Sequence, residues 1–322
     1  GLYPFSAGGT LPMVGVPLGP HLAGRGIVCA DPVSYFAAGL INNASAFVLG
    51  RPGLGKSSLI ARILLLLRTK GILPLILSDV KGEYVDLIKL IDGQVIAPGR
   101  GREFVNPLDR GPLTARLAHL PEEIRAAAEA DIEARRHNVM TGLCELALNR
   151  PLEAQERNVL AAAPRLWEAD NPGRVPLMGD VLEFVRSRPE SLAAVVNDRG
   201  DHERYFTRVE GLVDALIALA GDGEFGDVFA RPTTTPLEMD RPAVFDLSAV
   251  DAMDARLQAG LQLVCWSYGS SAVAAAKYLG DAGLAPRRTY LMVMDELWRA
   301  LRAAYFMVDR VDEILRLNRT LN

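Results

Sequence analysis

The segment Gly50-Arg51-Pro52-Gly53-Leu54-Gly55-Lys56-Ser57 fits G-x-x-x-x-G-K-[ST] at every fixed position, and it constrains the chain more than any other feature. Glycines at this spacing let successive backbone N–H groups converge on phosphate oxygens, and a helix starting at Lys56 adds partial positive charge. The pattern assigns Lys56 to the β and γ phosphates of ATP and the Ser57 hydroxyl to Mg2+. Gly50, Arg51, Pro52, Gly53, Leu54, Gly55, Lys56, Ser57 and Ser58 are the expected nucleotide-binding residues. The apolar run Ala46–Leu49 before the loop reads as a strand, and Lys56–Lys70 after it as a helix stopped by Gly71. Ile72–Leu77 reads as a second strand, with regular pairing starting only after Pro74. Strand, helix and strand make a βαβ unit and imply a parallel sheet.

A phosphate loop also needs an acidic residue at the end of a neighbouring strand. Leu291-Met292-Val293-Met294 leads into Asp295-Glu296, which assigns Asp295 to the metal and Glu296 to the attacking water as general base. Ala243-Val244-Phe245-Asp246 also ends a strand in Asp but lacks a following Glu, so it reads as the strand beside the catalytic one. Asp79 to Gly82 fits the D-x-x-G of GTPases, but the chain has no N-K-x-D guanine-reading segment and no L-S-G-G-Q of ABC transporters.

Between about Pro112 and Pro232 the spacing turns helical, over Glu122–Leu148, Leu152–Ala169, Leu177–Arg188 and Tyr205–Ala220. Strand signals return at Ala243–Leu247 and Tyr290–Met294, on either side of a helix near Ala252–Lys277. The expected fold class is therefore α/β: a RecA-like P-loop NTPase core with a mostly parallel sheet and an inserted all-α subdomain. The expected divisions are 1–111 (first part of the core), 112–235 (insertion) and 236–322 (second part of the core).

At 322 residues, 49% hydrophobic and 23% charged, the composition is that of a folded globular protein. A net charge of −4 argues against a general nucleic-acid coat, though a local basic lining stays open. Leu59–Leu67 is interrupted by Arg62 and falls far short of the roughly 20 residues a membrane span needs. Cys29, Cys144 and Cys265 form no CxxC pair and read as buried apolar side chains in a reducing compartment. His21, His119, His137 and His202 have no metal-ligand spacing, and Trp266 and Trp298 read as packing residues. The start at Gly1 and the stop at Asn322 suggest an excised fragment with more protein on both sides.

Several residue sets together resemble the VirB-four-type (TraC-like) ATPases of type IV secretion and conjugative transfer, within the FtsK- and HerA-type superfamily of translocases. They are Pro17-Leu18-Gly19, Asn42-Asn43, Gly50–Ser58, Asp79-Val80-Lys81-Gly82-Glu83-Tyr84, Gly226-Asp227 with Phe229 and Thr233, Asp246-Leu247-Ser248 and Asp295-Glu296-Leu297-Trp298. The loop reads Arg-Pro-Gly-Leu-Gly where that family commonly has Thr-Gly-Ser-Gly, and Leu297 replaces a small residue. The family's late glutamine segment would fall beyond Asn322, and Arg319-Thr320 resembles the start of the segment before it. The resemblance implies a Mg2+-dependent ATP hydrolase working as a hexameric ring, with Arg319 reaching a neighbour's ATP. It also implies membrane-embedded secretion or conjugation channel proteins as partners, and a cytoplasmic place at the inner face of the cell membrane. A DNA translocase of the FtsK/HerA type, with DNA as partner, and a low-turnover nucleotide-gated assembly module remain open alternatives.

Overall fold

The computed structural model describes residues 13–22, 26–221, 223–251, 253–303, 307–310 and 312–313, in two compact units. The first contains the described residues up to Pro74 together with Thr289–Leu291. Its β1 (Pro17–Pro20) and β2 (Ile27–Cys29) pair antiparallel, with Pro17 opposite Cys29 and Pro20 opposite Ile27. Helix α1 (Pro32–Ala37) starts where the Asp31 carboxylate accepts the Ser34 N–H at 2.6 Å, a normal N-cap with proline in the first turn. Helix α2 (Lys56–Arg68) begins at the end of the glycine loop, and Gly71 follows it with φ +82°, the left-handed stop expected from sequence. Leu67 packs with Val16 and Ile72 in a small core, and the Arg62 guanidinium donates to the Pro17 carbonyl at 2.8 Å, tying α2 to β1.

Residues 46–49 correct the sequence reading. They adopt no regular structure, and Phe47 and Leu49 are 77% and 79% exposed. A run of four apolar residues becomes a strand only where a neighbouring chain takes up its backbone groups, and composition cannot supply that neighbour. The strand–helix–strand unit is therefore not formed as expected, although its helix and second strand are.

A four-stranded sheet, order β4-β5-β3-β6, is formed by β3 (Leu73–Asp79), β4 (Gln94–Ile96), β5 (Ala243–Asp246) and β6 (Tyr290–Met294), of which β4, β5, β3 from Leu75 and β6 from Met292 belong to the second unit. A short helix α3 (Val85–Leu90) connects β3 to β4. β3 and β4 each pair parallel with β5, and the β3 pairing opens at Leu75 opposite Ala243, directly after Pro74. All seven residues of β3 are buried, as suits an interior strand of a parallel sheet. Because β3 lies between β5 and β6, Asp246 is not on the strand beside Asp295, contrary to expectation.

Five helices follow in sequence: α4 (Glu122–Leu148), α5 (Ala154–Asp170), α6 (Met178–Arg186), α7 (Glu190–Val196) and α8 (His202–Leu219). The segments flanking this block are stitched to each other by a threonine run. The Thr234 N–H donates to the Phe104 carbonyl at 3.0 Å, and Thr233 Oγ1 accepts the Asn106 N–H at 3.1 Å while donating to the Asp109 carboxylate at 2.6 Å. Helix α9 (Ala255–Asp281) packs on α4, on the sheet and on α10 (Leu297–Ala303). Ala275 and Leu279 of α9 share a core with Ala128 and Ile132 of α4 and with Leu113, Leu117 and Leu120. A side chain at Gly269 would collide with Leu77 of β3, so glycine sets how closely α9 approaches the sheet. Cys29, Cys144 and Cys265 are buried free thiols.

Candidate functional site

The glycine loop lies in the first unit. Gly53 and Gly55 have φ of +78° and +83°, a region open to glycine and costly for other residues. Gly55 is the N-cap of α2 and supplies no side chain to its first turn, which contains no acidic residue. The N-terminal N–H groups of a 13-residue helix are thus left to an anion. The Lys56 ammonium donates to the carbonyls of Gly50 and Arg51 at 3.1 and 3.3 Å, which hold the charge over the loop. Residues 51–55 are exposed. Open glycines, free N–H groups and a parked cation suit a polyphosphate.

The acidic residues lie in the second unit, where β3 and β6 end. At the end of β3, Asp79 is fully buried and accepts three backbone N–H groups, from Tyr84 at 2.8 Å, Glu83 at 3.0 Å and Lys81 at 3.3 Å. Burial pushes its carboxyl above the ordinary range, and the backbone donors oppose that rise. The Asp79-to-Tyr84 segment is therefore a turn wound on one carboxylate. The turn carries the Lys81 ammonium into an ion pair with Glu296 Oε1. That carboxylate contact raises the lysine further above its usual value.

At the end of β6, Asp295 Oδ1 accepts the Glu296 N–H at 2.8 Å, and Glu296 takes a left-handed φ of +50°. The turn is anchored from below, where Ser78 Oγ accepts the Trp266 indole N–H at 3.1 Å and donates to the Asp295 carbonyl at 3.4 Å. Burial raises the Asp295 carboxyl above its ordinary value, and the nearby Glu296 and Glu83 charges add to the rise. A carboxylate under that repulsion gains from a nearby divalent cation, and its oxygens are of the type Mg2+ takes. Glu296 goes the other way. Burial pushes it up, but hydrogen bonds from Lys81 and Trp298 and the charges of Lys81 and Arg299 outweigh burial and hold it below the ordinary range. Trp298 is 50% exposed and donates its indole N–H to Glu296 Oε2. That exposure departs from the packing role expected of it, whereas Trp266 is fully buried.

Asp295, Glu296, Lys81 and Asp79 thus come together in one unit. The glycine loop with Lys56, Ser57 and Ser58 is formed in the other, and Arg319 lies outside the described residues. Sequence reasoning missed the roles of Lys81 and Ser78. The only signal for Lys81 was its place in Asp79–Tyr84.

No family model matches the chain, and no curated protein matches it. Among solved structures it is similar to VirB4 of Thermoanaerobacter pseudethanolicus, with a TM-score of 0.55 over 98% of this chain and 83% of that one. The fold is VirB4-like. At 17% identity the likeness carries the fold and not the activity. The VirB4-like fold joins the parallel sheet to the many helices described above, and no described helix is long and apolar enough to cross a membrane.

Proposed function

We propose that this chain binds and hydrolyses Mg-ATP as the motor of a type IV secretion or conjugative transfer machine. The observation that carries the reading is the open glycine loop capping α2, on a VirB4-like fold. In this reading the loop N–H groups and Lys56 hold the β and γ phosphates, and Ser57 and Asp295 hold the metal. Arg51, Pro52, Leu54 and Ser58 shape the loop around the phosphates. Bound magnesium supplies charge that offsets the negative charge gathering on the phosphates. Glu296 accepts a proton from the attacking water at its carboxylate oxygen, and the turn built on Asp295 and Ser78 positions it. The sheet and flanking strands form the core, and helices within 112–235 form an insertion whose ends are joined by the threonine run. The proposed partners are other copies of this chain in a ring and membrane channel proteins, at the cytoplasmic face of a membrane.

The test is ATP binding and hydrolysis with and without magnesium. Wild-type protein is expected to hydrolyse ATP only when magnesium is present. Lys56→Ala is expected to lose most ATP affinity or nearly all turnover while keeping its circular dichroism spectrum. Unchanged turnover in Lys56→Ala would remove the phosphate-site assignment. A strong rise in turnover on adding duplex DNA would favour the DNA-translocase reading instead.

A further inference from the structure

We infer that Lys81 and Trp298 form a latch on Glu296, which holds this carboxylate off its water until the latch opens. The inference rests on the reading of Glu296 as general base, but the contacts themselves do not. Both carboxylate oxygens are taken by donors near the same strand ends: Oε1 by the Lys81 ammonium and Oε2 by the Trp298 indole N–H. Arg299 Nε stands 3.8 Å from Oε2 on the same side. A general base must direct an oxygen at the proton it takes, and here each oxygen is directed at a neighbouring N–H.

The two arms are held differently. Lys81 sits on the turn wound around Asp79, so its backbone is fixed while its side chain is 46% exposed. Glu296 is only 14% exposed, which makes the lysine the member free to leave. Trp298 is approached by two guanidinium groups, Arg299 at 5.3 Å and Arg302 at 5.4 Å from the ring centre, cation–π contacts that favour this ring position. Glu296 keeps a left-handed backbone conformation that a residue with a side chain holds only at a cost. Contacts that secure a residue in such a conformation are the ones whose release moves it.

Turnover and lysine labelling test the latch together. Lys81→Met is expected to raise kcat for ATP roughly three- to thirtyfold, the range for losing one charge-assisted contact, with KM changed less than about twofold. Lys81→Arg keeps a cation and is expected to stay closer to wild type. Trp298→Phe removes only the second arm and is expected to give a smaller rise. The double variant Lys81→Met, Glu296→Gln is expected to be no faster than Glu296→Gln alone. In nucleotide-free protein, an amine-reactive reagent read by mass spectrometry is expected to label Lys81 faster in Glu296→Gln than in wild type. The latch is overturned if folded Lys81→Met turns over at or below the wild-type rate, or if Lys81 labels equally in both proteins. Full turnover by Glu296→Gln would instead remove the base assignment, and the labelling comparison would still decide whether the contact exists.

Discussion

At the level of single residues, Glu296→Gln and Asp295→Ala test the proposed base and the proposed metal ligand separately. The first is expected to bind Mg-ATP normally and hydrolyse it about 10²–10⁴-fold more slowly, the cost of losing a positioned general base. The second is expected to lose the magnesium-dependent part of ATP affinity, read by titration with and without the metal. Asp79 makes a different prediction, because its carboxylate accepts three N–H groups in a buried turn. Asp79→Asn turns one acceptor into a donor facing an N–H, and is expected to cost about 1–3 kcal/mol in a denaturant titration. A stable variant with altered ATP binding would make Asp79 a ligand residue instead of a turn anchor. The glycine loop and the Asp295-Glu296 pair were legible because their chemistry demands fixed residue types at fixed spacing. Lys81 and Trp298 were not, because ion pairing and exposure depend on where two distant strands end.

Among the elements, α5 offers a test in which pH decides the sign. Its Glu156 is nearly buried, accepts the Glu153 N–H at 2.8 Å and receives the Arg150 guanidinium through two bonds of 2.7 and 2.8 Å. Burial pushes the Glu156 carboxyl up, but the Arg150 and backbone donors outweigh it, so the folded value lies below the ordinary one. A depressed carboxyl adds stability above its unfolded pKa of about 4.3 and loses it as pH falls through the folded value. Glu156→Gln is therefore expected to cost about 1–3 kcal/mol at pH 7, with the gap to wild type closing as pH drops below about 4. A gap independent of pH would mean that the pair adds nothing through charge. A methyl group at Gly211 of α8 would collide with both members of this pair, which explains a glycine in the middle of that helix. The long helices were legible from periodicity, and Glu122–Leu148 and Tyr290–Met294 match their sequence bounds. The short elements α1, α3, β4 and α7 were not placed, since three to seven residues without the unbroken apolar run of β3, β5 or β6 carry too little signal to separate from loop.

For the whole molecule, the ring reading predicts turnover per subunit that rises with protein concentration. An arginine acting on a neighbour's ATP is worth on the order of 10³–10⁵ in rate. Mixing Arg319→Ala with Lys56→Ala subunits is expected to restore activity that neither has alone, because each keeps the half-site the other lacks. Concentration-independent turnover without rescue on mixing would remove both the ring and the role of Arg319. The sequence by itself determined the glycine loop, the α/β class, the long helices and the place of the Asp-Glu pair at the end of β6. Each of these rests on local spacing, which the chain carries wherever it folds. Only the tertiary structure decided that β3 separates β5 from β6, that residues 46–49 pair with nothing regular, and that Lys81 and Trp298 close on Glu296. Those outcomes depend on which backbone groups and charges meet across the chain, and a one-dimensional pattern does not encode such meetings.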